Sequence, residues 1–177
     1  MRIIAGTLKG RRLEGPAPGD LRIRPTSDRA REALFSILQT RPPGAFLDLF
    51  AGTGAVGLEA WSRGHDPVTC VERAPHALAR LRKNARGTGV RILACGAEDL
   101  GFDAFQGLDL IFGDPPYSEA AALLEALAPR LRSWLAPGGL LVWEGEARSV
   151  LAAPAGFHED GRRVYGAAAF HFLRPSP

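Results

Sequence analysis

Short apolar runs, separated by stretches with helical spacing, fill most of the chain. The runs lie at 46–50, 68–72, 90–95, 108–113 and 140–144, and Gly or Pro turns bound several of them. Runs of this length and composition are typical of strands buried on both faces of a parallel sheet. Apolar residues between the runs recur at helical spacing, which predicts helices in the connections. The pattern therefore predicts an α/β fold with ligands at the carboxyl ends of the strands.

The C-terminal end departs from this alternation. A turn at 137–139 is expected to precede the fifth strand, and residues 162–165 and 166–173 predict a final hairpin. The hairpin brings the expected sheet to seven strands, mostly parallel and doubly wound.

The N-terminal end is expected to form an extension of this sheet. Residues 3–13 alternate loosely around two glycines and predict a short hairpin. Thr26 or Ser27 is a suitable cap for a helix with Asp28 in its first turn. We therefore expect a hairpin-plus-helix extension over 1–45, packed on a core domain over 46–177.

Composition and charge narrow the class of protein. With 177 residues and 46% hydrophobic content, the chain can bury one sizeable core, and without a long apolar run it is expected to be cytoplasmic. Cys70 and Cys95 are expected to be buried free thiols, and the histidines lack the spacing of metal ligands, so no metal site is expected. Residues 1–45 carry nine basic and four acidic groups. Such an excess of basic groups is typical of proteins that bind a phosphate backbone. The alternative is an arginine-rich surface that is only solvated.

One stretch, Phe46 to Ala60, joins a predicted strand to a predicted helix through a glycine turn. Gly52-Thr53-Gly54 follows the apolar run, and such a turn brings backbone N–H groups and the positive end of a helix to a ligand. Gly57 completes a G-x-G-x-x-G pattern, so the turn alone fits either a dinucleotide or S-adenosylmethionine. Glu72 stands about 20 residues beyond the glycines, where an acid accepts hydrogen bonds from ribose hydroxyls. An ordinary surface acid at a strand end is the alternative for this residue.

A second motif, Asp114-Pro115-Pro116-Tyr117, follows the fourth apolar run. Hydride transfer has no use for these groups at the end of a strand, whereas methylation of a planar amino group does. The Asp114 carboxylate and the Pro115 carbonyl can accept both N–H bonds of such a group, which favours the pyramidal nitrogen of the transition state. The prolines restrict the backbone, and Tyr117 offers a face on which a flipped base can stack. The alternative is a proline turn with a half-exposed tyrosine.

With these motifs, the chain resembles the RsmD family of bacterial methyltransferases. The likeness covers nearly the whole chain, through RIIAGTLKGRRL, RPTSDRAREALFSIL, LDLFAGTGAVGLEAWSRG, VERAPHAL, DPPY and RRVYGAAAF. The second and third of these segments together are the most specific. The resemblance implies a Rossmann-like class I methyltransferase fold. It also implies methylation of the exocyclic N2 of one guanine in small-subunit (16S) ribosomal RNA, with S-adenosylmethionine as the cofactor.

The resemblance further implies roles for particular residues. Catalysis and binding of the target guanine would fall to Asp114, Pro115, Pro116 and Tyr117. Cofactor binding would involve Asp48, Phe50, Ala51, Gly52, Thr53, Gly54, Glu72, Arg73, Ala97, Glu98, Thr26 and Arg29. Independently of the resemblance, the positive charge of residues 1–45 predicts RNA binding by Lys9, Arg11, Arg12, Arg22 and Arg24. In one departure, Gly96 stands where the family often has Asn or Asp, so that a side-chain hydrogen bond to adenine would have to come from Glu98 or Asp99.

Other interpretations stay open at this point. The same motifs suit amino-methyltransferases that act on adenine or cytosine in DNA or on a protein glutamine. A non-catalytic RNA-binding assembly protein is a further alternative. Because a domain of this size has little surface with which to recognise RNA, a partly assembled ribosomal particle is the expected substrate.

Overall fold

Seven strands form one sheet in this computed structural model, which describes residues 1–15 and 28–177. The elements are α1 (Asp28–Leu38), β1 (Phe46–Leu49), α2 (Ala55–Ser62), β2 (Val68–Val71), α3 (Pro75–Asn84), β3 (Arg91–Leu93), a 3₁₀ turn (Ala97–Asp99), β4 (Leu108–Gly113), α4 (Ala120–Trp134), β5 (Leu135–Glu146), β6 (Phe157–Tyr165) and β7 (Ala168–Pro175). The strand order is β3-β2-β1-β4-β5-β7-β6. Strands β1 to β5 pair in parallel, and β7 pairs antiparallel with both β5 and β6. The predicted seven-stranded, mostly parallel fold is confirmed.

Helices cover both faces of this sheet, as a doubly wound fold requires. On one face, Phe35 of α1 and Val56 of α2 pack with Phe112 of β4. On the other face, Leu131 and Trp134 of α4 pack against the central strands. No helix among residues 1–15 and 28–177 is long and apolar enough to span a membrane.

Strand β5 starts earlier than the sequence predicts. Residues 137–139 were expected to form a turn before the strand. They lie inside β5, where its pairing with β4 is irregular. Leu135 pairs with Leu108, and pairing resumes where Leu140 faces Leu110. Gly138, with φ 77°, occupies a left-handed conformation that glycine adopts without strain. The prediction of a turn is wrong because a bulge and a turn use the same residue types.

The two edge strands also differ from their predicted lengths. Strand β6 begins at Phe157 and not at Arg162, and most of its residues are exposed. Its charged residues 158–160 lack the apolar alternation by which a strand is recognised. At the opposite edge, β3 covers only three residues, which is half of the predicted run.

The N-terminal hairpin closes with a single bridge between Arg2 and Arg12. The N–H of Ile3 donates to the carbonyl of Arg11 at 3.0 Å, and the N–H of Gly10 donates to the carbonyl of Ile3 at 2.9 Å. The hairpin is therefore present as predicted, but as a compact turn without named strands.

Glu59 of α2 attaches this hairpin to the rest of the molecule. Its fully buried carboxylate accepts hydrogen bonds from the N–H groups of Ile4 at 2.7 Å and Ala5 at 3.0 Å. The carboxylate also accepts the Nε–H of Arg63 at 2.8 Å, and the Nε of the fully buried Arg31 lies 3.7 Å from it. One carboxylate thus joins the hairpin, α1 and α2.

Candidate active site

A pocket of about 500 Å³ opens at the carboxyl ends of β1, β2, β4 and β5. It brings together residues from distant parts of the sequence, as the parallel topology predicts. Those predicted from the sequence that line it are Asp48, Phe50, Ala51, Gly52, Thr53, Glu72, Arg73, Ala97, Glu98, Asp114, Pro115, Pro116 and Tyr117. The glycine turn and the proline turn therefore face the same space.

The glycine turn leads from β1 into the N-terminus of α2. Phe50 has φ 65°, an uncommon value for a residue with a side chain, and its ring packs edge-on against Trp143 at 5.8 Å between centroids. Gly54 has φ 83° and is the N-cap of α2. A Cβ at Gly54 would lie 2.3 Å from a methyl carbon of Leu81, so this position requires glycine both for its conformation and for its space.

Glu72 connects this turn to the end of β2. One carboxylate oxygen accepts the N–H of Gly52 at 2.7 Å, and the other accepts the N–H of Ala74 at 2.7 Å. A carboxylate offers about four acceptor positions, so two such bonds leave capacity for hydroxyl groups of a ligand. The role of Glu72 in ribose binding stays a prediction, and the structure adds that its carboxylate is already oriented by the backbone.

Asp48 is a buried acid at the base of the pocket. Burial raises its pKa to about 7, with a smaller upward contribution from Glu72, whereas the N–H of Gly57 acts in the opposite direction through a 2.8 Å hydrogen bond. A carboxyl with this pKa is mainly neutral below about pH 7, and a nearby cation favours its charged form. The site can therefore become more negative when a positively charged group enters it.

The side of the pocket expected to receive adenine shows how the chain accommodates Gly96. Asp99 accepts the N–H of Gly96 at 2.9 Å. The carboxyl group of Glu98 fills the space beside Gly96, since a Cβ there would lie 2.7 Å from its carboxyl carbon. Glu98 in turn forms an ion pair with Arg73. Of the two acids considered in the sequence analysis, Glu98 lines the pocket, and Asp99 caps the 3₁₀ turn.

The proline turn follows β4 directly and lies beside β5. Gly113 faces Trp143 across the two strands, and a Cβ at Gly113 would lie 2.4 Å from the indole ring. The hydroxyl of Tyr117 donates to Oε1 of Glu144 at 3.1 Å. Glu144 is only 4% exposed and lines the pocket, but it was not among the residues predicted from the sequence. The available signal was an acid at the end of a predicted strand next to the proline motif.

Other predicted residues lie elsewhere. Thr26, Arg22 and Arg24 fall outside the described residues. Arg29 is exposed on α1 and is not among the described residues that line the pocket. Lys9 and Arg12 are exposed on the hairpin, whereas Arg11 donates to the carbonyl of Arg86 at 2.7 Å.

Both cysteines are free thiols, but only one is fully buried. Cys70 is enclosed beneath α2, and burial raises the pKa of its thiol. Cys95 is a free thiol as predicted, but it is half-buried and lines the pocket, so the prediction that it is buried is wrong. Across residues 1–15 and 28–177, no group of three or more His, Cys, Asp or Glu side chains could hold a metal ion.

Asn84 of α3 links the end of the hairpin to the glycine turn. Its side-chain oxygen accepts the N–H of Glu14 at 2.8 Å, and its amide nitrogen donates to the carbonyl of Thr53 at 2.9 Å. The segment that carries Lys9 and Arg12 is thus held close to the pocket.

Comparison with known proteins gives one consistent relationship. The family model described as "Conserved hypothetical protein 95" matches residues 1–174. The chain is 35% identical to ribosomal RNA small subunit methyltransferase D of Escherichia coli K12, over 98% of this chain and 89% of that protein.

Two solved structures are also similar over nearly their whole length. A hypothetical protein of Thermus thermophilus has a TM-score of 0.84 and 35% identity, with 97% of this chain and 98% of that chain covered. A putative methyltransferase of Escherichia coli has a TM-score of 0.80 and 32% identity, with 99% of this chain and 97% of that chain covered. The chain therefore belongs to the family described as "Conserved hypothetical protein 95", which is the RsmD family that its sequence resembles.

Proposed function

We propose that this chain transfers a methyl group from S-adenosylmethionine to the exocyclic N2 of a guanine in small-subunit ribosomal RNA. The observation that carries the proposal is the shared pocket, which residues of the glycine turn and of the turn from Asp114 to Tyr117 both line. Membership of a family that includes ribosomal RNA small subunit methyltransferase D supports the substrate class.

The residues of the pocket fit the proposed cofactor. S-adenosylmethionine supplies an electrophilic methyl group on a cationic sulfur. The N-terminus of α2 and the backbone of Gly52 suit its carboxylate, and Glu72 suits the ribose hydroxyls. Asp48, with a pKa near neutrality, gains charge when the cationic methionine group lies close to it. A cavity of about 500 Å³ is in the range usual for ligand sites.

The proline turn supplies acceptors for the amino group that is to be methylated. The Asp114 carboxylate and the Pro115 carbonyl accept its two N–H bonds, which helps the nitrogen lone pair to turn out of the plane of the base. Such acceptors stabilise the positive charge that develops on nitrogen as the new bond forms. Tyr117 lies beside them in the pocket and provides a stacking face for a flipped base.

The N-terminal hairpin is the proposed contact with the RNA backbone. Lys9 and Arg12 are exposed, and the hairpin is held next to the pocket through Glu59 and Asn84. In this proposal, residues 1–45 form the RNA-binding extension and residues 46–177 form the S-adenosylmethionine-dependent methyltransferase domain. A particle that presents the target guanine compensates for the small surface of the protein.

Substitution of the acceptor tests this proposal. Purified Asp114→Ala protein is compared with wild type and with Asp103→Ala, an exposed acid outside the pocket. Transfer of tritiated methyl groups is measured on small ribosomal particles and on naked RNA, and cofactor affinity is measured by calorimetry. We expect kcat to fall by about 100- to 1,000-fold while cofactor affinity changes little.

The modified product identifies the reaction. Nuclease digestion and mass spectrometry are expected to show N2-methylguanosine in the wild-type reaction. Unchanged turnover by the Asp114→Ala protein would exclude the role given to this acid. Detection of methylated adenine, cytosine or protein glutamine would show that the substrate is not the proposed guanine. RNA binding without any methyl incorporation would favour a non-catalytic assembly protein.

A further inference from the structure

Glu144 is a second acid beside the proline turn, and neither the motif nor the glycine pattern points to it. It lies near the carboxyl end of β5, is 4% exposed and lines the same pocket as Asp114. Gly113 and Trp143 are paired in register, so Asp114, the first residue after β4, and Glu144 of β5 each follow a member of this pair. Neighbouring strands are about 4.8 Å apart, so the two residues leave the paired strands as neighbours at the edge that borders the pocket.

The hydroxyl of Tyr117 fixes the position of the Glu144 carboxylate. It donates to Oε1 at 3.1 Å. A carboxylate has two oxygens and about four acceptor positions, so this bond occupies one of those positions and helps to orient the group. The side chain also lies on the face of the sheet that carries Phe112, since Phe112 and Val142 are paired and Glu144 is two residues further along β5.

A second acceptor next to the first has a specific chemical meaning for a nucleobase. In guanine, the exocyclic amino group has a ring N–H donor, N1–H, as its neighbour. In adenine and cytosine, the ring nitrogen next to the amino group on the same pairing edge is an acceptor with a lone pair. A glutamine side chain has only its carbonyl oxygen beside the amino group. Among these candidates, only guanine presents adjacent donors to two adjacent acceptors.

We propose that Glu144 determines guanine specificity by accepting the N1–H of the target base while Asp114 and Pro115 hold its amino group. The proposal rests on the proposed methyl transfer to guanine and adds the residue that selects the base. Adenine or cytosine in this position would direct a lone pair at a buried carboxylate, and two facing acceptors strongly disfavour binding. Tyr117 is the residue that positions Glu144.

The first test uses wild-type protein and needs no variant. Once the modified nucleotide is mapped in the methylation assay, particles are reconstituted with RNA that carries 2-aminopurine at that position. This base keeps the 2-amino group but has a lone pair at N1 in place of N1–H. We expect kcat/KM for 2-aminopurine to be about 10- to 100-fold lower than for guanine. Equal values for the two bases would overturn the proposal.

The second test exchanges the acceptor for a group that can also donate. In Glu144→Gln, the amide N–H can serve the N1 lone pair of 2-aminopurine, so the preference for guanine is expected to shrink by at least about tenfold. Glu146→Gln is the matched control, because Glu146 is two residues further along the same strand and is exposed. Tyr117→Phe keeps the aromatic ring but removes the hydroxyl that orients Glu144, so it is also expected to weaken the preference for guanine.

The outcomes separate this inference from the proposed function. Thermal unfolding and cofactor affinity of each variant are measured, so that a folding defect is recognised. If a variant does not fold, the test rests on the preference of wild-type protein for guanine over 2-aminopurine. If wild-type protein methylates guanine and Glu144→Gln keeps the wild-type ratio between the two bases, Glu144 does not select the base. If wild-type protein methylates no guanine at all, the proposed function itself fails and the inference fails with it.

Discussion

The buried carboxyl of Asp48 makes the stability of the cofactor-free protein dependent on pH. Burial raises its folded pKa from the ordinary 3.8 to about 7. Between these two pH values, the native state keeps a proton that the unfolded chain has already released. Raising the pH through this window therefore lowers the free energy of unfolding, and above about pH 7 the contribution of this group no longer changes.

The Asp48→Asn substitution removes this titration and keeps an oxygen that can accept the N–H of Gly57. A shift of about three pKa units corresponds to about 4 kcal/mol in full, of which about 3 kcal/mol develops between pH 5 and pH 8. For a chain of this length, 1 kcal/mol changes the Tm by roughly 2–4 °C. We therefore expect the Tm of the variant, relative to wild type, to rise by about 6–12 °C between pH 5 and pH 8.

The assay is thermal unfolding followed by circular dichroism, with cofactor removed and ionic strength held constant. Asp103→Asn, which changes an exposed acid, is the control and should show no comparable trend. A difference between Asp48→Asn and wild type that is the same at pH 5 and pH 8 would refute the assigned protonation of Asp48.

Three further predictions concern the packing of the site and the extension. Glu59→Gln should lower the free energy of unfolding by about 3 kcal/mol, because it leaves buried donors and a buried guanidinium without their carboxylate, whereas the exposed Glu125→Gln should have little effect in the same urea titration. Gly57→Ala should destabilise the protein by about 1–3 kcal/mol and weaken cofactor binding, since its Cβ would lie 2.4 Å from the sulfur of the buried cysteine. Gly161→Ala, with its nearest neighbour at 3.7 Å, is the control for that comparison. Arg12→Glu should weaken RNA binding measured by fluorescence anisotropy and reduce its salt dependence, while cofactor affinity stays unchanged; an unaltered salt dependence would remove Arg12 from the RNA contact.

Features set by neighbouring residues were predictable from the sequence. The glycine turn at 52–54 and the proline turn at 114–117 each follow a run of buried residues, so their place at strand ends could be inferred locally. The parallel topology then predicts that both turns meet at one edge of the sheet. The shared pocket agrees with that inference.

Features set by distant contacts were not predictable in the same way. Glu144 ends a predicted strand, but its position beside the proline turn follows only from the register of β5 against β4. Arg31 has the sequence signature of a surface residue, but it is buried beside Glu59 because the hairpin covers it. The bulge at 137–139 depends on pairing with Leu108, which lies far away in the sequence.

The two edges of the sheet limit its association with further strands. A long, flat, apolar edge invites pairing between chains, which leads to aggregation. Strand β3 offers only three residues for such pairing, and β6 presents mainly exposed residues that include His158, Glu159 and Asp160. A sheet that is hydrophobic at its centre is therefore a poor template for intermolecular strand addition at either side. Replacing the charged residues of β6 with β-branched apolar residues would make that edge prone to pairing with strands of other chains.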